Sequence, residues 1–98
     1  MNGLNPAPGG LTAMVPCFNE VECIDRCYTT IAAEISCYTD VEILFVDDGS
    51  TDETLERIKA FAEADDRVKY LSLARNFGLE AAFGAGFRYA SKGWTVQL

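Results

Sequence analysis

Apolar residues along this chain alternate between two spacings. Four short runs, "LTAMVP" (11–16), "EILFVD" (42–47), "VKYLSL" (68–73) and "WTVQL" (94–98), have the length and residue types of strands. Between the first two, Val21, Ile24, Tyr28, Ile31 and Ile35 recur at helical spacing, and the pattern predicts a helix ending near residues 37–40. Asn19, three residues before Glu22, reads as its N-cap. Pro16 reads as the end of the first strand. Ser50 precedes Glu53 by three, the spacing of a capping box, and Leu55, Ile58 and Ala62 continue one helical face with Phe61 beside them. A third helix is predicted over "EAAFGAGFRYA" (80–90), opened by Asn76 and Gly78 and stopped by Lys92-Gly93. Its small residues would let it lie close to a sheet.

The order β-α-β-α-β-α-β predicts an α/β fold, a three-layer α/β/α arrangement around a mostly parallel sheet with right-handed crossovers. Residues 1–10, rich in Gly, Pro and Asn, read as a flexible leader, and residues 11–98 as one domain. The last strand has no connection after it, so the chain reads as the front part of a longer domain. An unpaired last strand would also offer its edge to a second copy, a homodimer through the sheet edge.

Composition narrows the possible partners. A chain of 98 residues with 49% hydrophobic content forms a single small core. Its net charge of −7, from 8 basic and 15 acidic residues, opposes a nucleic-acid surface. It does not oppose a single nucleotide, which backbone amides, an arginine or a metal can hold. Cys17, Cys23, Cys27 and Cys37 read as small reduced residues. Cys23 and Cys27 stand one helical turn apart, but no histidine and no second CxxC completes a metal site. No apolar run approaches the roughly 18 residues of a membrane helix, and the expected location is cytoplasmic.

In open parallel sheets ligands bind beyond the carboxyl ends of the strands. Three polar segments fall there: "PCFNE" (16–20), "DDGSTD" (47–52) and "ARNFG" (74–78). Asn19, Ser50, Asp52 and Gly49 are explained by caps and a turn. Adjacent Asp47 and Asp48 are not, because like charges repel unless water or a ligand meets them. Arg75 reads either as a surface residue or as their counter-charge. A carboxylate there suits ribose hydroxyls, a base N–H edge or a metal. Gly78, Gly84 and Gly86 do not form a dinucleotide-binding loop and read as helix packing. A phospho-acceptor receiver domain would instead place its acid pair after the first strand and a separate acceptor aspartate after the third, where this chain has Leu73-Ala74-Arg75.

Taken together, "MVPCFNEVECI", "VEILFVDDGSTDETLERI" and "LSLARNFGLEAAFGAGFRYA" resemble the family-2 glycosyltransferases of GT-A fold, of the polyprenyl-phosphate sugar transferase type. The likeness runs from about Leu11 to Leu98. It implies the N-terminal, nucleotide-binding half of a Rossmann-like GT-A domain and an inverting transfer from a UDP- or GDP-sugar to a polyprenyl phosphate at the cytoplasmic face of a membrane. It implies Mg²⁺ or Mn²⁺ in the full-length enzyme and none bound by this segment alone. By the same resemblance Pro16, Phe18 and Glu20 line the nucleoside pocket, Asp48 meets the base with Asp47 beside it, and Arg75 and Asn76 lie near the nucleotide. The metal motif, the catalytic base and the acceptor site would follow Leu98, so the 98 residues alone are expected to be inactive. The alternative is a non-catalytic nucleotide-binding or dimerising module.

Overall fold

A computed structural model describes residues 10–90 and 92, and the backbone of residues 94–97. The predicted leader, apart from Gly10, lies outside the described residues, as do Gly93 and Leu98. The elements run β1 (Leu11–Cys17), α1 (Ile24–Ile35), β2 (Val41–Asp47), α2 (Thr54–Ala64), β3 (Val68–Ser72), α3 (Leu79–Tyr89) and β4 (Trp94–Gln97). All pairings are parallel, and the sheet order is β3-β2-β1-β4.

Alternate strand residues build two cores. Ala13, Val15, Cys17, Ile43 and Phe45 pack under α1 and α2 with Ile24, Ile31, Ile58 and Phe61. Met14, Leu44 and Val46 face the other way and pack with Ala82 of α3. The central strands β1 and β2 are buried on both faces and therefore read as nearly continuous apolar runs, whereas β3 leaves Lys69, Tyr70 and Ser72 exposed. Two helices on one face and one on the other complete the three layers. The chain steps from β1 to β2 to β3 with helices on one face, then returns past β1 to β4 with α3 on the other. That reversal puts a topological switch point between β1 and β4, where a crevice opens beyond the strand ends.

Three local expectations are corrected. Pro16 does not end β1, which continues to Cys17. Odd-numbered residues of β1 face β2: the Leu11 N–H donates to the Asp40 carbonyl and the Cys17 carbonyl accepts from the Asp48 N–H. Pro16 faces the other way, so its missing N–H costs the β1–β2 ladder nothing. Asn19 does not cap α1, whose N-cap is Cys23 without a side-chain bond. Ser50 and Glu53 do not form a capping box. Asp52 instead accepts from the Thr54 N–H at 2.9 Å, and the Thr54 hydroxyl caps back onto the same carboxylate.

The glycines of the third helical segment divide. Gly86 lies against the sheet, where a Cβ would meet Met14 Sδ at 2.0 Å, so it packs as predicted. Gly84 has open space around its Cα, and Gly78 precedes the helix as its N-cap.

Candidate functional site

Strand geometry explains how Asp47 and Asp48 coexist. Asp47 ends β2 and Asp48 follows it, and the strand alternation carried into Asp48 turns the two carboxylates toward different partners. Both are buried, at 1% and 5% exposure. Asp47 accepts from the Ser50 N–H at 3.2 Å and from the Ser50 hydroxyl, which fixes its own turn. Asp48 reaches across to the loop after β3. Its Oδ1 accepts from the Phe77 N–H at 2.9 Å, and its Oδ2 from the Gly78 N–H at 3.0 Å and Asn76 Nδ2 at 3.2 Å. Two oxygens offer about four lone-pair directions, so three bonds leave Asp48 about one acceptor position.

Gly49 makes this approach possible. Its φ is +75°, and a Cβ there would meet the Arg75 carbonyl carbon at 2.3 Å and the Asn76 nitrogen at 2.5 Å. The β2–α2 turn therefore lies directly on the β3–α3 loop. The β1–α1 loop is tied to the same turn. The Asn19 N–H donates to Ser50 Oγ at 2.9 Å, and Asn19 Oδ1 accepts from the Thr51 N–H at 2.8 Å. The Glu20 N–H donates to Thr54 Oγ1 at 2.8 Å, and the Val21 N–H to Asp52 Oδ2 at 3.3 Å. Asn19 holds φ +52° to do so. It is a latch between two loops rather than a helix cap.

These three loops enclose a cavity of about 320 Å³ at the carboxyl end of β1. Pro16, Phe18, Glu20, Asp48 and Asn76, five of the seven residues expected from sequence, line it. Phe18 is 41% exposed and presents a ring at the rim. Asp47 and Arg75 lie instead on a neighbouring cleft of about 510 Å³, which Phe18 and Asn76 also border. Arg75 is not the counter-charge of the aspartates. Its guanidinium sits 4.7 Å from the Phe77 ring centroid, and the ion pairs among the described residues are Arg57–Asp25, Arg67–Asp65 and Lys92–Asp40. Sequence reasoning missed Cys17, Gly78, Leu79 and Ala82 in the cavity wall. It also missed Thr54 as the acceptor that holds Glu20. In sequence these residues show only strand alternation or helix packing.

Metal binding does not fit these carboxylates. Asp47 and Asp48 are each engaged by loop donors, and among the described residues no group of three His, Cys, Asp or Glu side chains could hold a metal ion.

The glycosyl transferase family 2 profile matches residues 12–98. The chain belongs to that family. Two curated relatives show where in the family the likeness lies. It is 45% identical over 83 residues to the bactoprenol glucosyl transferase of Shigella phage SfV, covering 83% of this chain and 27% of the relative. It is 39% identical over 91 residues to an undecaprenyl-phosphate 4-deoxy-4-formamido-L-arabinose transferase of Salmonella choleraesuis, covering 90% and 28%. The chain thus spans roughly a quarter of the length of such relatives. Among solved structures, S. aureus TarS superposes with a TM-score of 0.80 at 22% identity, over 91% of this chain and 26% of that one. The Pyrobaculum calidifontis mannosyltransferase PcManGT, solved with GDP-Man and Mn²⁺, gives 0.73 at 24% identity, over 82% and 24%. At these identities the two structures establish a shared GT-A fold.

Proposed function

We propose that residues 11–98 form the nucleoside-binding half of a family-2 glycosyltransferase that moves a sugar from a UDP- or GDP-sugar to a polyprenyl phosphate. The observation that carries this is a buried carboxylate, Asp48, held by three donors at the floor of a cavity beside the β1–β4 switch point. Its remaining acceptor position suits the N–H edge of uracil or guanine. The half-exposed Phe18 ring would stack on that base, and the Glu20 carboxylate would accept from ribose hydroxyls. Pro16 closes the sheet side. Asn76 positions Asp48 rather than the ligand, and Asp47 positions the turn. Arg75, on the adjoining cleft, would face the donor's phosphates.

The acceptor class rests on the names of the relatives, bactoprenol and undecaprenyl-phosphate transferases. For the whole enzyme we propose Mg²⁺ or Mn²⁺ as the cation on the diphosphate; PcManGT was solved in complex with GDP-Man and Mn²⁺. A bound cation would stabilise the leaving diphosphate as a Lewis acid. The described residues supply binding and orientation, and no step of the transfer is assigned to them.

Calorimetric titration of the 98-residue chain with UDP and with GDP, each with and without Mg²⁺, tests the reading. Saturable binding of one nucleotide, weakened tenfold or more in Asp48→Asn, is expected. Equal heats from wild type and variant would refute the assignment of Asp48 to the base.

A further inference from the structure

Behind the nucleoside cavity lies a second one of about 210 Å³. Pro16, Cys17 and Glu20 line both, so the two spaces share a wall. Cys23 and Cys27 line the second cavity as well, which places three of the four thiols around it.

The thiols are not equivalent. Cys17 is buried and aims its Sγ–H at the carbonyls of Val15 and Val46. Burial, with Asp47 nearby, pushes its thiol far up, so it stays protonated and unreactive. Cys37, beyond the other end of α1, donates to the Glu34 carbonyl at 3.3 Å. Cys23 is exposed at the N-cap of α1. Cys27 is half-buried one turn further on, its N–H donates to the Cys23 carbonyl at 2.9 Å, and burial, with Glu20 and Cys23 nearby, raises its thiol as well, so exposed Cys23 is the first to attack.

We infer that Cys23 and Cys27 form a thiol–disulfide exchange site whose oxidised form reshapes the wall of the nucleoside cavity. The Cys23 thiolate attacks a small disulfide, forming a mixed disulfide and expelling one thiol. The Cys27 thiol releases its proton to solvent, and its sulfur attacks the Cys23 sulfur. The mixed bond breaks, the Cys23–Cys27 bond forms and the second thiol leaves. The protein loses two hydrogens and the reagent gains them.

Helical neighbours four apart hold their Cβ atoms about 5–6 Å apart, and a disulfide needs about 3.8 Å. Closing the bond therefore tightens the first turn of α1. That turn hangs on Glu20, whose carbonyl accepts from the Cys23 N–H at 2.9 Å and the Ile24 N–H at 2.8 Å. Glu20 moves with it, and so does the wall both cavities share. A strained bond of this kind is readily reduced. The effect on nucleotide rests on the proposed function. The bond itself does not.

The test treats the folded 98-residue chain with excess oxidised glutathione, blocks remaining thiols and maps bonds by mass spectrometry. Cleavage after Arg26 separates Cys23 from Cys27, and cleavage after Glu20 or Glu22 separates Cys17 from Cys23. One Cys23–Cys27 bond is expected, reversed by dithiothreitol. Cys27→Ser should stop at a glutathione adduct on Cys23, and Cys23→Ser should form no internal bond. A bond involving Cys17 or Cys37, or an adduct on wild type that never resolves, would overturn the site. Nucleotide titration of the reduced and oxidised forms is read separately. Failure of the reduced form to bind counts against the proposed function alone. Equal binding by both forms counts against coupling through Glu20.

Discussion

Asp48 ties the loop after β3 to the end of β2 through two main-chain N–H groups and Asn76. Asparagine is nearly the same size but presents one acceptor oxygen and an NH₂ that faces donors. Hydrogen bonds to charged groups contribute about 1.5–3 kcal/mol each, so Asp48→Asn should lower unfolding free energy by a few kcal/mol in urea. It should also weaken nucleotide binding by tenfold or more, roughly the loss of one such bond. Gly49→Ala faces both a positive φ and main-chain atoms at 2.3–2.7 Å. A cost of at least about 1–3 kcal/mol is expected from the strain alone, read as a lower urea midpoint with unchanged slope. A wild-type midpoint would show that the loop gives way freely. The adjacent aspartates marked this place in the sequence, because no cap or turn rule calls for two like charges side by side. The job of Asp48 was not legible, because its partners Asn76, Phe77 and Gly78 lie 28–30 residues away and leave no local signal. Asn19 misled for the same reason. Asparagine before a helix resembles a cap, and its long-range bonds to Thr51 and Asp52 won instead.

The elements were the most legible level, since short strand runs, those of β1 and β2 buried on both faces, alternate with helical periodicity. Ends were less so. Pro16 broke nothing because it faces away from β2. The α1–α2 layer is joined by contacts that no spacing predicts: Tyr28 stacks on Phe61 with centroids 4.4 Å apart, and its hydroxyl donates to Asp65 Oδ2 at 2.6 Å. Asp65 also pairs with Arg67 at 2.8 Å, joining the end of α2 to the start of β3. The hydrogen bonds from Arg67, aided by the Tyr28 hydroxyl, hold the Asp65 carboxyl well below the usual carboxylate range. A depressed folded-state pKa adds stability above the unfolded value of about 3.9 and loses it as pH falls below that value. Acid titration of stability should therefore show a component that Asp65→Asn removes below about pH 4. Identical acid profiles would show that the pair is fully screened. On the other face, Gly86→Val should destabilise by about 1–3 kcal/mol through overpacking against Met14 and Val46. An unchanged thermal midpoint would mean that Met14 swings aside.

At the scale of the molecule, the order β3-β2-β1-β4 decides where the chemistry lies. Only a chain that reverses direction after β3 gathers the loops following β1, β2 and β3 around one crevice. Strand order is set by the crossovers, which sequence can only suggest. Yet the family motifs fell on the loops this order converges. On this reading the convergent loops bind a nucleoside. Chemical-shift mapping of the isotope-labelled 98-residue chain with UDP and GDP tests it most directly. Saturable shifts at the amides of Phe18, Glu20, Asp48, Asn76 and Gly78 with one nucleotide are the predicted result. Shifts confined to the outer face of α1, or none with either nucleotide, would contradict the account.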